Sequence, residues 1–167
     1  MAEVLVPPTD RPIDGPLVFL AGPIQGAPNW QAEAAALLSR QPGLTIASPR
    51  RPEFLKLSPA EYAAQVDWEH RHLERAGVQG VTLFWLAREA AHRCDRAYAQ
   101  TTRFELGEAV TRHRWQGIKV VVGIEAGFSN ARYLRQTIAS KAPAIPLCDY
   151  LPQTCDAALR LLGMTPS

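Results

Sequence analysis

Val81-Thr82-Leu83-Phe84-Trp85-Leu86, followed after a polar stretch by Gln100-Thr101-Thr102-Arg103-Phe104-Glu105-Leu106-Gly107-Glu108-Ala109, sets the fold class of this chain. The first is a continuous apolar run, the mark of a strand covered on both faces. The second opens an amphipathic helix over residues 102–115, which Gly117 ends. The same order recurs on both sides. Upstream, the apolar run Leu17-Val18-Phe19-Leu20-Ala21 enters a tight Gly22-Pro23 turn that delivers polar Gln25 to the strand's carboxyl edge. A helix over 29–40 places Trp30, Ala34, Leu37 and Leu38 on one stripe. A short strand at 44–47 precedes the loop Ser48-Pro49-Arg50-Arg51-Pro52.

Ser58-Pro59-Ala60-Glu61 starts the next helix with a Ser cap, Pro at the first position and Glu at the third. That helix is expected to run to about Ala76 and end at Gly77. Downstream follow a strand at 118–124, a helix at 130–140, a fifth strand at 144–147 and a closing helix at 152–162. Strands alternating with helices across short gaps predict a single-domain α/β fold: a doubly wound, flavodoxin-like sheet of about five parallel strands. Residues 1–16 carry Pro7, Pro8, Pro12 and Pro16 and read as a flexible or surface-draped arm, leaving 17–167 as the domain.

The totals narrow the function classes. A chain of 167 residues suits one core, and 47% hydrophobic with 20% charged residues is ordinary for a globular protein. A net charge of +2 makes no case for nucleic-acid binding. Cys94, Cys148 and Cys155 lack CxxC spacing and read as reduced thiols. No apolar segment approaches membrane-spanning length and no signal-peptide pattern opens the chain, so a cytoplasmic protein with no membrane partner is expected. His70 and His72 stand two apart on a helix and cannot chelate one metal from that spacing, so neither metal nor cofactor is expected.

Glu105 has two readings. Thr102-Arg103-Phe104-Glu105 fits a capping box, in which the carboxylate only folds back on the Thr102 amide. Against that, the helix follows a buried strand, and the crevice beyond the carboxyl ends of strands is where open α/β sheets bind ligands. Gly107 also leaves room beside the carboxylate for a close approach. A carboxylate there suits the cleavage of a bond between a sugar C1′ and a base nitrogen. It stabilises the positive charge that builds on the sugar and can trap it as an ester. The helix N-terminus is expected to keep it ionised, and the departing base needs a proton donor.

Phe104-Glu105-Leu106-Gly107, in order with Phe19-Leu20-Ala21-Gly22-Pro23, Gln65-Val66-Asp67-Trp68-Glu69 and the Leu83-Phe84-Trp85 strand, resembles the nucleoside 2-deoxyribosyltransferase family, in its deoxyribosyltransferase-like branch. The resemblance covers about residues 17 to 135. It implies that Glu105 is the nucleophile and that Gly22, Pro23 and Gln25 lie against base and sugar. It implies too that Asn130 reaches the sugar 5′ end in a neighbouring subunit's site, within a homo-oligomer between dimer and hexamer. The family's base-handling Asp aligns with His72 here, and Asp67 or Glu69, one to one and a half turns earlier, are its substitutes. Asp67 is expected to act with Glu105 in catalysis, and Glu69 and His72 to contact substrate.

The expected partners are a small-molecule nucleoside or nucleotide and a free base. The alternatives are a nucleoside 5′-monophosphate N-glycosidase and, in another class, a non-catalytic nucleotide-binding or sensor module. Arg88, Arg93, Arg96 and Arg103 around residues 87–100, with Arg50 and Arg51, are either a solvated surface or a phosphate clamp.

Overall fold

In a computed structural model of the chain, residues 1–51 and 57–166 are described. Pro52, at the end of the loop after the second expected strand, lies outside them. The elements run β1 (Glu3–Leu5), β2 (Leu17–Ala21), α1 (Trp30–Leu38), β3 (Thr45–Ala47), α2 (Pro59–Gln79), β4 (Gly80–Leu86), α3 (Gln100–Gln116), β5 (Val120–Ile124), α4 (Ala131–Lys141), β6 (Leu147–Cys148) and α5 (Leu151–Leu161). One sheet has the order β1-β3-β2-β4-β5-β6, and every pairing is parallel. The flavodoxin-like doubly wound fold is therefore present, with one strand more than expected.

The extra strand is β1. The arm reading of residues 1–16 is corrected at this point, because Glu3, Val4 and Leu5 pair with Thr45, Ile46 and Ala47 at the sheet edge. The rest of the segment drapes over α2. Thr9 accepts a hydrogen bond from Trp68 Nε1 at 2.6 Å, and Asp10 takes Arg71 at 2.9 Å and Arg75 at 2.7 Å. The sixth strand in the order, β6, is only Leu147–Cys148; residues 144–146 form the turn before it.

Alternation along the central strands divides the core. Leu17, Phe19, Phe84, Leu86, Val120 and Val122 face Trp68 and Ala76 of α2, Leu106 and Ala109 of α3, and Ile138 of α4. Val18, Leu20, Val81, Leu83, Trp85 and Val121 face Trp30 and Ala34 of α1 and Cys155 and Ala158 of α5. Every residue of β2, β4 and β5 is buried, as continuous apolar runs between two helical layers require. The chain reverses its direction of winding about β2, since β3 lies on one side of it and β4 on the other. Such a switch point opens a crevice at the carboxyl ends of the strands.

Two helix ends differ from expectation. Gly77 does not stop α2; the helix runs to Gln79 and is capped by Gly80. A Cβ at Gly80 would lie 2.1 Å from the Leu17 carbonyl oxygen, so the strand beside it demands glycine there. The helix start at Ser58 is as expected: Ser58 Oγ accepts from the Glu61 amide and Glu61 accepts from the Ser58 amide. Among the described residues, no helix is long and apolar enough to cross a membrane.

Candidate active site

The turn after β2 is built on glycine. A Cβ at Gly22 would lie 2.4 Å from the Trp85 carbonyl oxygen and 2.7 Å from the Trp30 ring. Trp30 Nε1 donates to the Pro23 carbonyl at 2.9 Å, and Gln31 reaches the same oxygen at 3.4 Å. This stitches the turn to α1. Gly26 then accepts amide hydrogens from Ala90 at 2.7 Å and Ala91 at 3.1 Å, and the Arg96 guanidinium donates to the Gln25 side-chain oxygen. The turn after β2 and the long connection after β4 thus close on one another at the carboxyl edge. Tyr98, whose hydroxyl donates to the Ala87 carbonyl at 2.7 Å, ties that connection back to its own start.

Glu105 sits on α3, in its second turn. The helix begins at Gln100, with Ala99 as a left-handed cap (φ 56, ψ 30) that makes no side-chain cap bond. Thr102 is therefore inside the helix and buried, and the capping-box reading of Glu105 falls. The carboxyl is partly buried, and its pKa is pushed up to about 7. Burial is the largest cause, followed by the charges of Glu69 and then Glu108. The expectation that the helix N-terminus keeps Glu105 ionised is corrected. The helix field fades beyond the first turn, and burial beside two carboxylates outweighs it.

Glu69 comes from α2. Its pKa is raised by burial, against which a hydrogen bond from Gln65 and the nearby His70 act. Gln65 Nε2 donates to Glu69 Oε1 at 3.0 Å and to the Pro49 carbonyl at 3.3 Å. Arg51 Nε donates to Gln65 Oε1 at 2.9 Å. The loop after β3 is thus tied to the middle of α2, and the charge of Glu69 reaches Glu105 on α3. Burial raises both carboxyls, and the charge of Glu69 adds to the rise at Glu105.

The other residues singled out in the sequence fall as follows. Asp67 is exposed, about 200° around α2 from Glu69 at 100° per residue, and does not face Glu105. His72 has no exposed surface and lies stacked on Trp68, ring centroids 3.9 Å apart. Its Nδ1 is 2.8 Å from the Trp68 carbonyl, which only accepts, so Nδ1 carries the hydrogen. Burial holds its pKa below the ordinary value. With its bare Nε2 turned to Asp10 at 3.9 Å, His72 offers nothing to a ligand. Asn130 is exposed, in a left-handed conformation (φ 63) at the start of α4, and its side chain makes no cap bond. At Gly107 an added Cβ would meet nothing within 4 Å, so among the described residues no group makes a close approach there.

The arginines do not converge. Arg93 pairs with Asp95 at 2.8 Å, Arg96 serves Gln25, and Arg103 donates to Ser129 at 2.7 Å and lies over the Phe128 ring. Arg50 is held by the Pro28 carbonyl and Gln31.

A cavity of about 440 Å³ runs between α2 and α3 and opens on Glu105, with Leu73, Phe104, Glu108 and Arg112 around it. A second, of about 480 Å³, lies on the opposite layer beside Trp30, Trp85, Arg88 and Glu125. Both are of small-molecule size, and Glu105 lines the first. The Gln65–Arg51 support of Glu69 is what the sequence reading did not single out. The signal was the four-residue step from Gln65 to Glu69, which stacks the two side chains one helical turn apart.

A family model described as nucleoside 2-deoxyribosyltransferase like matches residues 15–128, more than half of the chain. No match to a curated protein was found.

Proposed function

We propose, from the premise that this chain belongs to the nucleoside 2-deoxyribosyltransferase-like family, that it cleaves and exchanges the N-glycosidic bond of 2′-deoxynucleosides through a glycosyl ester on Glu105. The observation that carries the reading is Glu105 opening on a cavity of small-molecule size, its carboxyl raised by burial and by the charge of the likewise raised Glu69. Glu105 as the anion attacks C1′. The C1′–N bond breaks, its electron pair stays on the base, and Glu69 as the acid supplies the proton to the base. An incoming base nitrogen then attacks C1′, displaces the Glu105 carboxylate, and returns its proton to the pair. Two displacements keep the configuration at C1′. Gly22, Pro23 and Gln25 form the wall next to base and sugar, where the glycine lets the backbone come close. Asn130 serves a neighbouring subunit's site in a homo-oligomer.

The arginine pairing favours nucleoside over nucleotide. Three of the four guanidiniums near the long connection already have protein partners, so the described residues form no preformed phosphate clamp there. The deoxynucleoside is expected to show the higher kcat/KM against its 5′-monophosphate.

The test is a 2′-fluoro-2′-deoxynucleoside, whose fluorine disfavours positive charge beside C1′ and slows breakdown of the ester. Mass spectrometry is expected to find the fluorosugar on the peptide holding Glu105. A folded Glu105→Ala protein that keeps turnover ends the nucleophile assignment.

A further inference from the structure

Gln65 lies one turn before Glu69 on the same helix, and every hydrogen-bonding atom of its amide is committed. One hydrogen of Nε2 goes to Glu69 Oε1, the other goes to the Pro49 carbonyl, and Oε1 receives Arg51 Nε. A flipped amide would set its oxygen against the Pro49 carbonyl and the Glu69 oxygen, three acceptors facing each other. It would also turn its NH2 on the Arg51 donor. Arg51 and Pro49 therefore admit one orientation. In that orientation Gln65 presents only hydrogen to Glu69 Oε1, and a nitrogen already bonded to two hydrogens accepts none. A proton on Glu69 has to sit on Oε2.

We propose that Gln65 is the positioning residue of the carboxyl pair, holding Glu69 Oε1 as a permanent acceptor and making Oε2 the oxygen through which Glu69 takes and gives its proton. This rests on the proposed glycosyl transfer for its use, though not for its geometry. Gln65 touches neither reacting atom; it acts through Glu69. Its donated hydrogen stabilises the ionised Glu69, the form left once the proton has passed to the departing base. Glu105 has no hydrogen bond of this kind and titrates late. The charged groups facing the pair are His70 from α2, Glu108 from α3 and, behind Gln65, Arg51 from the loop after β3. None of them directs a hydrogen at Glu69 Oε1 in Gln65's place.

The titration of Glu69 separates positioning from mere packing. Protein carrying ¹³C at the glutamate side-chain carboxyls, with Glu69→Gln and Glu105→Gln for assignment, gives both midpoints by NMR without any substrate. Gln65→Met keeps the length of the side chain and removes the donor. The Glu69 midpoint is expected to move to higher pH. The pH profile of kcat/KM is expected to shift with it, and kcat to fall roughly ten- to hundredfold, the worth of one hydrogen bond to the Glu69 carboxylate left by proton transfer. KM should change little. Arg51→Leu frees the amide to rotate and is expected to give a smaller shift of the same sign; it also stands in if Gln65→Met does not fold. An unchanged Glu69 midpoint in the folded variants overturns the proposal. That result is distinct from failure of the transfer mechanism, which shows as turnover surviving Glu105→Ala whatever Glu69 does.

Discussion

At the scale of the residue, the proton on Glu105 links chemistry to stability. Its folded pKa of about 7 lies above the ordinary carboxyl value, so between those two pH values the folded chain binds more protons than the unfolded one. The stability this contributes is fully present in acid and is lost as pH rises through about 7. Glu105→Gln removes the titration. The variant is expected to be inactive and to melt above the parent at pH 8, with the two melting curves converging near pH 4.5 by circular dichroism. Glu105 was legible in the sequence because a motif and a strand-to-helix junction coincide there. Its partner was not. Asp67 and Glu69 are both acidic and two apart, and only the seating of α2 on the sheet decides which turns toward α3. His72 was illegible for a longer-range reason, because what buries it is Trp68 together with a segment some sixty residues away.

At the scale of the element, α3 starts under strain. Ala99 adopts a left-handed conformation that costs a residue with a Cβ about 1 kcal/mol or more relative to glycine. Ala99→Gly relieves the strain but loosens the unfolded chain, and is expected to leave the protein more stable by about 0.5 kcal/mol in urea unfolding. Gly22→Ala has no such relief. The added carbon meets the backbone of Trp85 and the ring of Trp30, neither of which yields easily, and a loss of about 1–3 kcal/mol is expected. Turnover should fall as well, because the Pro23 carbonyl is fixed by that same Trp30. Most helices and central strands were readable from the sequence because their apolar spacing is local information. The end of α2 was misplaced because Gly77 and Gly80 are equal as helix stops in one dimension. Only the neighbouring β2 backbone, 2.1 Å from a would-be Cβ, singles out Gly80.

At the scale of the whole molecule, the role proposed for Asn130 requires a site shared between copies. Asn130 holds its left-handed turn with an exposed side chain and no bond to its own helix. Asn130→Gly keeps that backbone at no steric cost and removes only the side-chain amide. Melting temperature is expected to stay at or slightly above that of the parent, while kcat/KM falls about tenfold or more. Light scattering should show an oligomer for both. A monomer with full activity would remove Asn130 from the site.

The far border of the sheet from Asn130 is guarded by β1. β3 is three buried residues, Thr45-Ile46-Ala47, and β1 occupies its outer hydrogen-bonding side. β1 itself turns Glu3 and Val4 outward, and Glu3 pairs with Arg11. A charged rim is a common defence against strand-to-strand stacking between molecules. Without residues 1–8, β3 presents bare amides and carbonyls along an apolar segment. Such a truncated protein is expected to lose colloidal stability ahead of catalytic competence, with turbidity growing on warming while freshly prepared material still turns over substrate. Three residues among prolines would then serve as the selvedge of the sheet, keeping the weave from catching on its neighbours.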